Sequence, residues 1–201
     1  MEMPKVDIAS STDRDRALQT IALGFLADPV CRWTWPDATT HLAAMPMFAA
    51  AFGGKAFEHG SAYIADEGRA AALWLPPGID PDGDRIEALF AATSPPDVLD
   101  DVGSVFAQMD ACHPKDRPCW HLALIAADPA YMNRGLGAAL LKHALRRCDE
   151  DGSIAYLETT NPRNISLYER HGFEIVGKIQ AGASPTLYPM IREARGAHPY
   201  R

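Results

Sequence analysis

The chain has 201 residues, 47% apolar and 22% charged, enough for one buried core and unlike the composition of a disordered chain. Nineteen Lys and Arg against 26 Asp and Glu leave a formal charge of −7, which argues against general nucleic-acid binding because that needs a basic footprint. No apolar run approaches the ~20 residues of a membrane span, and residues 1–20 hold no apolar core of signal-peptide length, so the expectation is a cytoplasmic protein with no membrane or nucleic-acid partner.

In chain order, residues 12–26 read as a helix. Ala17, Leu18, Ile21, Ala22 and Phe25 recur at helical spacing, and Ser10, Ser11 or Thr12 offers a cap. Asp28-Pro29 breaks it. A second apolar helix spans 40–52 and ends at Gly53-Gly54. Residues 61–66 and 69–75 read as two strands joined by Glu67-Gly68, a hairpin signal, and Pro76-Pro77-Gly78 stops the second. Residues 80–113 read as loop and helix, broken at Pro95-Pro96.

The rest is more regular. Residues 119–127 are apolar on both alternating faces apart from His121, which suits a strand covered on both sides. Asp128-Pro129 ends it. Residues 136–148 form an amphipathic helix with a stripe of Leu136, Leu140, Leu141, Ala144, Leu145 and Cys148. A strand over 153–160, a short helix over 164–171 stopped by Gly172, and strands over 173–180 and 186–192 complete the set. This order predicts a single α/β domain with a mixed, mostly antiparallel twisted sheet, a parallel central pair and flanking helices. Residues from 196 to the end read as a loose tail.

Cys31, Cys112, Cys119 and Cys148 are widely spaced, with no C-x-x-C pair. Cys112-His113 and Cys119-x-His121 come nearest to a metal pattern without matching one, so reduced, mostly buried thiols and no metal are expected.

The informative segment runs from Asp128 to Leu140. A buried strand feeds a turn holding Gly135 and Gly137, and a helix follows at once. Unpaired N–H groups of a helix's first turn, with the positive end of its dipole, make an anion site, so the local physics points to phosphate. A G-x-G pair alone is equally a tight turn. A Walker A loop fails because Ala138-Ala139 follows Gly137 where Lys-Ser/Thr is needed. A nicotinamide-dinucleotide fingerprint is a closer rival, since Glu158 lies near the right distance for its acidic residue. Against it, Leu140 stands where a small residue is wanted, and residues 128–134 intervene where the fingerprint turns immediately.

A third loop fits best. Ala127-Asp128-Pro129 followed by Met132-Asn133-Arg134-Gly135-Leu136-Gly137 resembles the pyrophosphate arm of the GNAT superfamily of N-acetyltransferases, Gln/Arg-x-x-Gly-x-Gly/Ala after a strand. Met132 departs from the first position, where much of the family's contact is made by backbone N–H. Asn161, then Tyr168 seven residues on, then Gly172-Phe173, matches a second family landmark in the right order. Segments around Cys119-Trp120-His121-Leu122, Trp74-Leu75-Pro76-Pro77-Gly78 and Asp28-Pro29-Val30 look like those of puromycin-acetyltransferase-like members.

The resemblance implies one acetyltransferase domain, with an acceptor-side half over 1–117, an acetyl-CoA-binding half over 118–192 and a tail over 193–201. It implies acetyl-CoA as co-substrate and a small-molecule amine as acceptor. The backbone of Ile125, Ala126 and Ala127 would flank the pantetheine arm. The turn formed by Asn133, Arg134, Gly135, Leu136, Gly137 and Ala138 would take the pyrophosphate, with Asn161 and Asn164 adding contacts. Tyr168 is the implied general acid, because a phenol stays protonated at neutral pH; on spacing alone it is a core tyrosine. Glu158, near a strand end, and His121, in a buried strand, are the candidate bases. Trp33, Trp35 and Trp74 are candidates for lining the acceptor pocket, or else fill the core. Family members often pair through an edge strand near the C-terminus, which leaves a homodimer open. A catalytically silent acyl-CoA-binding module stands as the alternative to an enzyme.

Overall fold

The computed structural model describes residues 4–196. Seven strands form one open sheet in the order β1-β2-β3-β4-β5-β7-β6. All neighbours are antiparallel except the central pair, β4 (Cys119–Ala127) and β5 (Ile154–Thr159), which is parallel and connected through α6 (Leu136–Glu150). The tail expected over residues 193–201 lies, from residue 197, outside the described residues.

Helices cover both faces. On one, α1 (Arg14–Gly24), α3 (Ala38–Phe52) and α4 (Gly83–Thr93) bury Ile21, Met45, Phe48 and Phe90 against Ala71, Leu73 and Leu75 of β3 (Ala70–Leu75). On the other, the stripe of α6 packs on Ala72 and Trp74 of β3, Leu122 of β4 and Leu157 of β5. Strand alternation sorts these side chains, and each fully buried leucine contributes about 1.5–3 kcal/mol relative to exposure.

Several boundaries differ from the sequence expectation. The first helix begins as a short 3₁₀ turn, where the Ser10 N–H and hydroxyl both donate to the Asp13 carboxylate, at 3.0 and 2.6 Å. Asp28-Pro29 is a start as well as a break. Asp28 accepts from the N–H groups of Val30 and Cys31, and Pro29 opens α2 (Pro29–Thr34), where its missing N–H costs nothing. Residues 80–113 hold two helices, α4 and α5 (Leu99–Cys112), separated at Pro95-Pro96 as anticipated.

The hairpin is β2 (Ala62–Ala65) and β3, with Asp66, Glu67 and Gly68 all at positive φ. An edge strand not anticipated, β1 (Val6–Ile8), pairs with β2. The strand expected over 173–180 shrinks to β6 (Glu174–Ile175) and one bridge, Ile179 to Leu187. Opposite it, β7 (Tyr188–Arg192) carries Pro189. Its carbonyl accepts from Val176 N–H, but proline has no N–H to return, and the ladder stops.

Two features open the sheet at its centre. In β4, Leu124 pairs with Leu73 and Leu122 with Trp74, so Ala123 is an extra residue forming a β-bulge. Bulges raise local twist and bend the strand that carries them. Just before it, pairing with β5 ends. Only Cys119, Trp120 and His121 of β4 are in register with β5, although β4 continues along β3 to Ala127. From Leu122 onward β4 and β5 diverge, leaving a fork with an unpaired strand edge on each side.

Candidate active site

The turn after β4 lies at the open end of this fork. Asp128 accepts from Ala130 N–H at 2.8 Å and caps a 3₁₀ turn over Pro129–Tyr131. Asn133 and Gly135 then adopt left-handed backbone, with φ of 62° and 79°, and α6 starts with no side-chain cap. Among the described residues, the N–H groups from Asn133 to Ala138 have no hydrogen-bond partner. Unpaired N–H groups at a helix N-terminus favour an anion.

Gly135 needs its glycine for backbone conformation. Gly137 does not: a Cβ there would meet only Leu167 Cδ2, at an ordinary 3.6 Å. Its lack of a side chain leaves the turn open from outside. Leu136 buries its side chain and offers only its N–H. Met132 is 58% exposed. Arg134 lies over the Tyr131 ring at 5.0 Å, and Arg69, which the sequence reading did not single out, lies over the same ring at 4.7 Å.

At the crotch of the fork, His121 and Glu158 come together. Register pairs His121 with Tyr156, and Glu158 is two residues further along β5 on the same face. His121 Nε2 is 3.0 Å from Glu158 Oε2, with the two side chains only 8% and 5% exposed. Two candidates considered separately in the sequence are one buried pair. Glu158, which a dinucleotide fingerprint would offer to a ribose, is held against an imidazole.

Phe52 meets the His121 ring edge-on at 5.7 Å, and His113 and Tyr156 lie 5.2 and 5.7 Å from it. Burial and then the Glu158 charge push the Tyr156 phenol well above its usual range, and its hydroxyl is buried without a partner among the described residues. Burial, followed by the neighbouring His121, pushes the His113 imidazole below its usual value. Tyr156 has no signal in the sequence beyond a strand tyrosine, and His113 stands out there only in the Cys112-His113 pair that approaches a metal pattern.

Tyr168 approaches from the opposite face. It lies on α7 (Ile165–Arg170), packs on Phe173 at 6.1 Å and is buried with the α6 cluster. Burial, and then the charge of Asp28, hold its phenol well above the ordinary value, so it stays protonated. In the sequence Asp28 stands out as a helix break and as part of the Asp28-Pro29-Val30 segment. It is 6% exposed, accepts from Val30, Cys31 and Thr160 Oγ1, and has no cationic partner among the described residues.

Asn161 accepts from Arg163 N–H at 3.1 Å and caps a 3₁₀ turn, whereas Asn164 precedes α7 with no side-chain cap bond. Ile125, Ala126 and Ala127 follow the bulge, in the part of β4 that has left β5. The three tryptophans do not converge on the His121–Glu158 pair. Trp33 is half-buried against the N-terminal core. Trp35 is buried, donates to Thr93 Oγ1 at 2.9 Å and stacks on Phe90, with Phe48 and Phe52 between it and His121. Trp74 lies on the α6 face, away from His121.

Cys31, Cys119 and Cys148 are buried and Cys112 is exposed. Burial raises the Cys119 and Cys148 thiols to about 12, so they are inert as nucleophiles at neutral pH. Among the described residues no group of three or more His, Cys, Asp or Glu is arranged to hold a metal, and no helix is long and apolar enough to cross a membrane.

The family model for the Acetyltransferase (GNAT) family matches residues 27–173. The chain belongs to this family. The GNAT assignment covers the fork, the turn and both candidate proton-handling groups. One curated relative, N-alpha-acetyltransferase 50 of Danio rerio, is 27% identical over 79 residues, 37% of this chain and 46% of that protein. The matched part thus spans about half the length of that relative. Solved structures share the fold more completely. One described as histone acetyltransferase HPA2 and related acetyltransferase, from Corynebacterium glutamicum, has a TM-score of 0.68 at 23% identity, covering 98% of this chain and 99% of that one. The Drosophila melanogaster polyamine N-acetyltransferase has a TM-score of 0.63 at 16% identity, covering 95% and 100%.

Proposed function

We propose that this GNAT chain is an acetyl-CoA-dependent N-acetyltransferase acting on a primary amine of a small molecule, by direct attack within a ternary complex. The observation that carries the reading is the buried His121–Glu158 pair at the crotch of the β4–β5 fork, with Tyr168 buried among the residues of the α6 face. The solved agmatine and polyamine N-acetyltransferases among its structural neighbours act on small amines, which agrees with such an acceptor.

The residues fit acetyl-CoA. Six consecutive unpaired N–H groups, from Asn133 to Ala138, suit a pyrophosphate, and Gly137 leaves its approach clear. The unpaired edge formed by Ile125, Ala126 and Ala127 suits the amides of a pantetheine arm. Arg134 and Arg69 add positive charge at the rim, and Asn161 and Asn164, which follow β5, are the further side chains proposed to contact the donor. When bound, the thioester supplies the acetyl group.

The chain's own groups handle the protons. The acceptor nitrogen must be neutral to attack, and the hydrogen-bonded His121–Glu158 pair takes up its proton. Tyr168 Oη holds a proton at neutral pH and delivers it to the departing sulfur. Burial of these groups excludes water, which strengthens their interactions and limits idle hydrolysis. Trp33 and the α2–α3 region belong to the acceptor side, in the half that carries the likeness to puromycin-acetyltransferase-like members.

The test is incubation of the purified protein and acetyl-CoA with a panel of primary amines, followed by mass spectrometry. Acetylated product for one class of amine is expected. Binding of CoA with no product from any amine would favour a silent acyl-CoA-binding module. Stabilisation by NADH or NADPH with no response to CoA would overturn the reading.

A further inference from the structure

A second feature lies at the far end of α6. Between the C-terminal parts of α6, α7 and β7 is a hollow of about 280 Å³. Five of the chain's 19 Lys and Arg line it: Lys142, Arg146, Arg170, Arg192 and Arg195. His171 joins them, and Asp149 is the one carboxylate in the lining. Such a concentration of cations is unexpected on a chain of formal charge −7.

Asp149 does not neutralise the hollow. Both its oxygens accept from the Arg192 guanidinium, at 2.7 and 2.9 Å, and Oδ1 also accepts from Arg195 N–H at 2.7 Å. Arg192, 3% exposed, is fixed further by donating to the His171 carbonyl at 3.0 Å. This pair forms a rigid, nearly neutral floor. Lys142, Arg146, Arg170 and Arg195 are left without a carboxylate within salt-bridge distance among the described residues. Glu150 and Glu169, next in sequence to lining residues, are not part of the lining. The C-terminal turn of a helix favours cations, which accounts for Arg170 but not for Lys142 and Arg146, before the last turn of α6, or for Arg195 beyond β7.

We propose that this hollow binds a small phosphorylated anion, at a site separate from the acyl-donor turn. Guanidinium groups suit phosphate oxygens in shape and charge. At 1.5 Å of rise per residue, Lys142 lies about 10 Å and Asp149 about 20 Å along α6 from Gly135, so most of the hollow is remote from the turn. A phosphate that bridges Arg146 of α6 and Arg170 of α7 also fixes the helix that carries Tyr168.

Inorganic pyrophosphate is the probe, titrated calorimetrically into the full chain at constant ionic strength, with and without saturating CoA. Saturable binding is expected in both conditions. The double variant Arg146→Gln/Arg170→Gln loses about tenfold or more in affinity while its unfolding transition and CoA binding stay as in the wild type. Unsaturable heats, affinity unchanged in the variant, or loss of binding when CoA is present would each overturn the proposal. The last would assign pyrophosphate to the α6 turn. Failure of CoA itself to bind would count against the acetyltransferase reading and leave this test intact, because the variant comparison needs no CoA.

Discussion

Asp28 accepts a hydrogen bond from Thr160, 132 residues later in the chain. Asp28 starts α2, in the N-terminal half, and Thr160 follows β5, on the side of the fork that leads to Tyr168. One buried carboxylate therefore ties the two halves of the molecule together beside the proposed acid. Nearby in the chain, a Cβ at Gly24 would lie 2.6 Å from Ala126 Cβ, so glycine lets α1 end close to β4.

Asp28→Ala removes the cap of α2 and strands the Thr160 hydroxyl. A loss of about 1–2 kcal/mol is expected in urea denaturation. Asp28→Asn keeps an acceptor for Val30 and Cys31 and is expected to retain most of the stability. Equal losses in the two variants would show that the charge matters more than the cap.

Gly137→Ala separates folding from binding. The new methyl meets only Leu167 Cδ2 at 3.6 Å, and alanine is a better helix former than glycine by about 0.5–1 kcal/mol. Its melting temperature should hold or rise slightly, while CoA affinity falls about tenfold because the methyl blocks approach to the turn. Unchanged CoA affinity would place the pyrophosphate elsewhere.

Stability should decline on acidification from pH 7 to pH 5. Burial lowers the imidazoles of His41, His113 and His143 in the folded state. Above about pH 6.5 these groups are neutral folded and unfolded and contribute no difference. As pH falls below that value the unfolded chain takes up protons that the folded chain does not, so stability is lost until the folded values are reached. Urea midpoints at pH 8, 6.5 and 5 read this directly. A flat profile would show that these histidines are free to protonate in the folded state.

Tyr168→Phe removes a hydroxyl that has no hydrogen-bond partner among the described residues. Thermal stability and CoA binding should stay close to wild type, while kcat falls about 10²–10⁴-fold. A large drop in melting temperature with kcat per folded molecule preserved would return Tyr168 to the role of core residue.

The C-terminal half was legible because its signals are local. The covered strand, the glycine turn, the amphipathic stripe of α6 and the Asn161-to-Phe173 landmark all lie within about one element of sequence, and each formed where expected. The fork was not legible. It depends on Ala123 being extra relative to Leu73 and Trp74, which is a property of pairing between distant strands. The same holds for the contact of His121 with Glu158, each of which alone reads as an ordinary strand residue. The edge strands failed for a different reason: β1 and β6 are three and two residues long, too short to show alternation. Asp28 was masked by Pro29, which reads equally as a helix end and a helix start.

The most direct test is the rate of amine acetylation by Glu158→Gln beside the wild type, across pH, with CoA affinity measured on the same samples. Glutamine keeps the size of the side chain and a hydrogen bond to His121 but cannot take a proton. A fall of about 10²–10⁴-fold in kcat/KM with CoA affinity unchanged is expected. Wild-type kcat/KM in Glu158→Gln would contradict the assignment of the buried His121–Glu158 pair as the base.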